Sequence, residues 1–391
     1  MQKYRQQDMY LFRTLGTLFR PLMIFLLLVY CPLADSNVVG VQDHGTQHAN
    51  HQVYNARASA YATHSNNYAN HPNHPPSKKK HGDVVFAVLE PNIPRQNEYS
   101  LRMELVSGSG FFSCCSVKLD EIVKVYNNHH VVPSYINGSH WLVWYKPENA
   151  SHTYDDVTHV YFKDLQQIDN QRIGLDVLLQ KGSSPERIDY KHQYQFSDYA
   201  KDLNFKLLSP LIKKFFSPSD EIMEIVNTME NKYNISNYKY DDIGVVFFRG
   251  NDKVKEQHSM ASYSDIQQRT EHMIRQHKND TGRDMKLIIQ SDETDFINKM
   301  VGHFPNHIIF KDEIRHMKTN PKLSVDHMYS KDANHQFSKF YLAITIIMSK
   351  ANKIVFASSG NCSIWVLLFR GHANNIVQYL GKYNKFWLSN M

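Results

Sequence analysis

The chain has 391 residues, a formal net charge of +6, 42% hydrophobic residues and four cysteines. Residues 1–82 hold eight basic and three acidic residues, so +5 of that charge sits at the amino-terminal end and the remaining body carries only +1. A nucleic-acid-binding body would carry the excess itself, which excludes that partner.

The four cysteines (Cys31, Cys114, Cys115, Cys362) include no Cys-x-x-Cys pair. That excludes a structural zinc site and a disulfide scaffold, and leaves at most one long-range bridge, to Cys362.

In chain order, residues 1–14 read as a cytoplasmic tail and residues 15–34 as a signal anchor. The apolar run 21–34 follows Lys3, Arg5, Arg13 and Arg20 and precedes Asp35 and Asp43. This asymmetry predicts a translocated body, hence a single-pass type II membrane protein facing the Golgi or ER lumen. The alternative is secretion after signal-peptide cleavage, for which Pro32-Leu33-Ala34 is a poor site. Residues 35–82 are rich in His, Asn, Ala, Ser, Gln and Tyr and poor in large aliphatics. They cannot offset their ordering entropy and read as a disordered stalk. Glycosylation sequons at Asn137, Asn149, Asn234 and Asn279 agree with a luminal body.

The body starts with a strand at 83–89. A small-residue loop at 107–116 then opens a helix carrying Leu119, Ile122, Val123 and Tyr126 at helical spacing. Such a loop, Gly110 included, can hold an anion through backbone N–H groups at the helix start. Residues 131–195 read as short strands and loops, with 141–145 and 160–162 the clearest strands. Residues 197–233 read as helical, with Ser217-Pro218-Ser219-Asp220 as a start signal. From 241 onward strands and helices alternate: strand 243–248, helix 263–277, strand 285–290, helix 294–302, strand 307–310, helix 336–350, strand 353–357, helix 362–369. Strict alternation implies a parallel sheet with right-handed crossovers.

Three of these strands end in polar loops that one cleft can share. The first is Arg249-Gly250-Asn251-Asp252-Lys253-Val254-Lys255-Glu256, the second Ser291-Asp292-Glu293, and the third Ser358-Ser359-Gly360-Asn361-Cys362-Ser363. The third opens a helix, and its hydroxyls and N–H groups make a seat for a diphosphate. The first offers cations to neutralise a leaving group. For each loop a local reading stands beside this one: an Arg249–Asp292 salt bridge, a turn cap at Asp252, an N-cap at 359–361. No Asp-x-Asp triplet occurs, which points to a site that uses Arg, Lys and helix dipoles in place of a divalent ion. Phosphate-loop, dinucleotide and nucleophile-elbow motifs are also missing from the sequence.

These motifs resemble the GDP-fucose-dependent fucosyltransferase clan, the α1,6-fucosyltransferases and protein O-fucosyltransferases among them. Val246-Phe247-Phe248-Arg249-Gly250-Asn251-Asp252-Lys253 is similar to its Arg-containing loop, Leu287-Ile288-Ile289-Gln290-Ser291-Asp292 to its middle motif, and residues 348–361 to its Ser-rich loop. The resemblance covers about residues 241–371. It implies a GT-B-like α/β fold: two Rossmann-like domains facing a cleft, residues 83–235 on the acceptor side and 236–391 binding the nucleotide sugar. It also implies inverting transfer of fucose from GDP-fucose to a glycan or glycoprotein hydroxyl, with no metal and no cofactor. Arg249 would carry most of the leaving-group stabilisation. Ser358, Ser359 and Asn361 would hold phosphate oxygens, with Gly110, Gly250, Asn251, Asp252, Asp292, Gly360 and Ser363 completing the donor site. Glu256 is the candidate base for the acceptor hydroxyl and Lys253 its positioning partner. Gly250 stands where many α1,6-type members have a second Arg. A transferase using another nucleotide sugar, or a non-catalytic glycan- or nucleotide-binding module, are the alternatives.

Overall fold

The computed structural model describes residues 87–91, 99–103, 110–139, 141–147, 149–150, 155–179, 186–256, 259–313, 316–320 and 331–389. The expected tail, anchor and stalk, and residues 107–109 of the small-residue loop, lie outside the described residues. No helix among the described residues is long and apolar enough to cross a membrane.

In the first half, β1 (Ala87–Pro91) pairs antiparallel with β2 (Tyr99–Met103), which pairs parallel with β3 (Tyr135–Asn137). Between β2 and β3 runs α1 (Phe111–His129). It starts directly after Gly110, so Phe111 to Ser116 lie in the helix and not in a loop. It stops where His130 adopts a left-handed φ of 53° and its N–H caps the Tyr126 carbonyl at 2.8 Å. α1 is buried around most of its circumference, from Phe111 to Tyr126, as a helix enclosed by other elements is.

Two expected strands are absent. Residues Val143–Tyr145 form a 3₁₀ turn and Thr158–Tyr161 a single helical turn. Their aromatic residues pack on α1 instead: the Phe111 ring lies 5.4 Å from Tyr145, 4.9 Å from Tyr161 and 6.4 Å from Phe162. Aromatic and β-branched residues favour any half-buried surface, and here that surface is a helix. The described residues of the first half therefore form a three-stranded sheet and not a second Rossmann-like sheet. Next come α2 (Phe205–Phe215) and α3 (Asp220–Lys232). The start signal read before α3 holds, with Ser219 Oγ accepting from the Ile222 N–H at 3.3 Å.

The second half contains β4 (Ile243–Phe248), α4 (Tyr263–Thr281), β5 (Lys286–Ser291), α5 (Thr294–His303), β6 (His307–Ile308), α6 (Lys331–Lys350), β7 (Lys353–Phe356), α7 (Asn361–Arg370), β8 (Ile376–Leu380) and β9 (Lys385–Leu388). The sheet order is β6-β5-β4-β7-β8-β9, parallel except for the last pair. Val246 lies level with Ile289 of β5 and Val355 of β7. Every residue of β4 is buried, as expected for a strand with helices on both faces. The alternation sorts its side chains: Val245 and Phe247 join the core that runs from Leu101 to Ile376, whereas Val246 and Phe248 join the core under α4 and α5. The chain leaves β4 toward β5 on one side and β7 toward β8 on the other. The order thus reverses between β4 and β7, where open α/β sheets bind ligands at the carboxyl ends of the strands.

Candidate anion-binding site at the strand-order switch

The carboxyl ends of β4, β5 and β7 bring the three polar loops together. Arg249, the first residue after β4, donates its backbone N–H to Ser358 Oγ at 2.7 Å, which ties the β4 and β7 loops across the switch point. Its guanidinium donates from Nε to Asp292 Oδ2 at 2.9 Å. The outer nitrogens make only long contacts: Nη1 is 3.4 Å from both Tyr341 Oη and Cys362 Sγ, and Nη2 is 3.6 Å from Asp252 Oδ1. Of five N–H donors, one is in a short charge-assisted bond. Burial opposes the charge of Arg249, but the Asp292 carboxylate, with a smaller contribution from Asp252, outweighs it and holds the pKa well above the ordinary value. The cation is therefore permanent. Burial pushes the Tyr341 phenol well up, so that neighbour stays neutral.

The rest of the first loop is spent on holding itself. Gly250 N–H donates to Asp292 Oδ1 at 3.0 Å, and Asn251 N–H to Glu293 Oε1 at 2.8 Å. With Arg249 N–H on Ser358, three consecutive backbone donors are taken by protein acceptors. Asn251 is wholly buried in a left-handed conformation (φ 48°). Its amide donates to the Asp292 carbonyl at 2.8 Å and its Oδ1 accepts from the Asn320 N–H at 2.9 Å. Asn251 thus acts as a staple, and this loop's backbone offers no cradle for a phosphate. Gly250 is required for space: a Cβ there would sit 1.9 Å from Glu293 Oε1. Glu293 cannot easily give way, because it is 2% exposed and also accepts from the Tyr263 hydroxyl.

The third loop differs. Ser358, Ser359, Asn361 and Ser363 are buried, and α7 begins at Gly360 without a side-chain cap. Ser363 and Ile364 N–H groups return to the Gly360 carbonyl at 3.1 and 3.4 Å. Among the described residues nothing accepts from the N–H groups of Asn361 and Cys362. Gly360 is itself buried, yet a Cβ on it would meet no atom within 4 Å. Open space, uncapped N–H groups and the positive end of a helix therefore coincide.

α1 closes this side. Ser116 Oγ donates to Asn361 Oδ1 at 2.8 Å and accepts from Trp365 Nε1 at 2.9 Å. The Phe112 ring packs against Tyr341 at 5.2 Å, which sets the first turn of α1, after the exposed Gly110, at the edge of the site. Cys114, Cys115 and Cys362 are buried, and no disulfide forms among the described residues. Lys253 lies 3.1 Å from Asp252 and, with Glu256, belongs to the single turn Lys253–Glu256. The side chain of Glu256 lies outside the described residues. Arg249 and Lys253 against Asp252, Asp292 and Glu293 sum to −1, so an anion here would have to be held by aimed donors and not by surplus positive charge. Sequence reading passed over Ser116, Tyr341 and Glu293 as site residues. Glu293 had a local signal in its place beside Asp292 at the end of β5, and Ser116 in the small-residue stretch 107–116; Tyr341 had none.

No family model matches the chain, and no curated protein matches it. Parts of the chain are similar to solved fucosyltransferases. For NodZ alpha-1,6-fucosyltransferase soaked with GDP-fucose the TM-score is 0.31 at 10% identity, over 46% of this chain and 52% of that one. For NodZ from Bradyrhizobium it is 0.28 at 12% identity, over 60% and 69%. For a mutant of Arabidopsis thaliana FUT1 in complex with GDP it is 0.28 at 12% identity, over 44% and 35%. The chain thus spans about half the length of the first of these structures.

Proposed function

We propose that this protein is a glycosyltransferase that moves a sugar, fucose first, from a nucleoside diphosphate donor such as GDP-fucose to a hydroxyl of a glycan or glycoprotein. The observation that supports it best is the pairing of Arg249's outer guanidinium with the uncapped start of α7 and the open space over Gly360. A departing diphosphate gains negative charge as the glycosidic bond breaks. Donors already fixed in a water-poor site stabilise that charge without reorganising. Asp292 fixes the guanidinium through Nε and leaves its outer N–H groups to an incoming oxygen.

In this reading the transfer is a single inverting displacement without a metal, since aimed N–H donors take the charge a divalent ion would otherwise take. Glu256 would accept the proton of the acceptor hydroxyl, with Lys253 positioning it. Residues 236–391 would bind the donor and residues 83–235 would lie on the acceptor side. The amino-terminal anchor would hold the body in the Golgi or ER lumen. A non-catalytic nucleotide-binding module is the second reading, favoured by the −1 balance around a single arginine. Donor turnover decides between them: release of GDP from GDP-fucose in EDTA, against a panel of other nucleotide sugars, supports the transferase, and binding without turnover supports the module.

A further inference from the structure

Tyr199 opens the single helical turn Tyr199–Asp202, well before the second-half elements that carry the three loops. Its side chain is 0% exposed, and its hydroxyl has no hydrogen-bond partner. Ser363, in the first turn of α7, lies near enough to act on the phenol and lower its pKa, and Cys362, which Arg249 contacts, is another polar neighbour. Buried hydroxyls are nearly always satisfied, so an orphaned one calls for an acceptor. This phenol cannot turn away to find another. Gln378, wholly buried in β8, accepts from the Ala200 N–H at 3.2 Å and donates to the Ser197 carbonyl at 3.0 Å, which clamps the turn on both sides of Tyr199. The ring meets Phe356 nearly edge-on at 6.3 Å.

The same helix start carries the uncapped N–H groups of Asn361 and Cys362 and the open space over Gly360. An orphaned donor there is complementary to an acceptor with several lone pairs, and a phosphate oxygen has them. We propose that the Tyr199 hydroxyl is a further binding group of the anion seat, donating to a phosphate oxygen of the nucleoside diphosphate beside Arg249 and the start of α7. This rests on the donor reading above. Burial raises the phenol's pKa, so the hydroxyl keeps its proton and serves as a neutral donor.

The test is calorimetric titration of inorganic pyrophosphate, GDP and GDP-fucose into the full chain and its Tyr199→Phe variant, well below the lower of the two Tm values. Phe keeps the ring and its contact with Phe356. The expected result is binding of all three by the wild type and a loss of about tenfold or more for each in the variant. The Tm should be unchanged or higher, because an orphaned hydroxyl has gone. Equal affinities for wild type and variant overturn the assignment. A loss confined to GDP-fucose also overturns it, since the hydroxyl would then meet the sugar. No binding of pyrophosphate or GDP by the wild type overturns the diphosphate reading itself, and that outcome is visible before any variant is made.

Discussion

Asp292 grips Arg249 and the residue after it: Oδ2 accepts from the Arg249 guanidinium Nε at 2.9 Å, and Oδ1 accepts from the Gly250 backbone N–H at 3.0 Å. One carboxylate therefore sets both the path of the loop and the aim of the cation it carries. Asp292→Asn can keep one of these bonds but turns the charge-assisted one into a neutral one. The expected outcome is a modest loss of stability, about 1 kcal/mol, with a fall of about a hundredfold in kcat/KM for the donor. Asp292→Ala leaves a mostly buried guanidinium without its main partner and should cost about 3–5 kcal/mol. Urea unfolding beside donor turnover separates the two effects.

Gly250 and Glu293 should be coupled. A methyl at position 250 would sit 1.9 Å from Glu293 Oε1, whose partners are the Asn251 N–H and the Tyr263 hydroxyl. Gly250→Ala is expected to lower stability by about 1–3 kcal/mol through overpacking. In the Glu293→Ala background the same substitution should cost markedly less. Thermal unfolding of the four proteins of the cycle gives the interaction energy, and additive effects would remove the proposed contact.

Lys118 supplies the pH dependence. Its side chain is 2% exposed, with Nζ 4.2 Å from the Trp141 ring centroid and 5.2 Å from that of Phe216. Burial, only partly opposed by Asp156, lowers its pKa to about 8. The unfolded chain therefore binds more protons than the folded one between about pH 8 and the unfolded pKa near 10.4. Stability from this group rises with pH across that window, and below it the full cost of the buried ammonium, about 3 kcal/mol, is present. Lys118→Met should raise the unfolding free energy at pH 7 and flatten its rise toward pH 10. Equal pH slopes for the two proteins in denaturant melts would contradict this.

The second half was legible because its strands are buried on both faces and its helices follow at regular intervals. β4 is read at its observed bounds, and each alternating element lies within a few residues of its expected place. β8 and β9 escaped because they follow α7 without another helix to punctuate them, β9 returning as an antiparallel edge strand. In the first half, aromatic residues at 141–145 and 160–162 carry a strand-like composition, yet what they satisfy is the face of α1. The polar loops were visible because Arg, Asp and Ser end apolar strands. Their division of labour was not. Asn251 became a staple and Glu293 a spacer through contacts across 42 positions, and Ser116 reaches Asn361 across 245. Local pattern carries no trace of such pairs.

The most direct test of the donor-site account is GDP release from GDP-fucose by the wild type and Arg249→Lys in EDTA. Lysine keeps the charge but loses the fork that lets Nε grip Asp292 while the outer nitrogens face the leaving group. The account predicts turnover by the wild type and a loss of about 10²–10³ in kcat for the variant, with Tm little changed. Wild-type-like turnover by Arg249→Lys would contradict it.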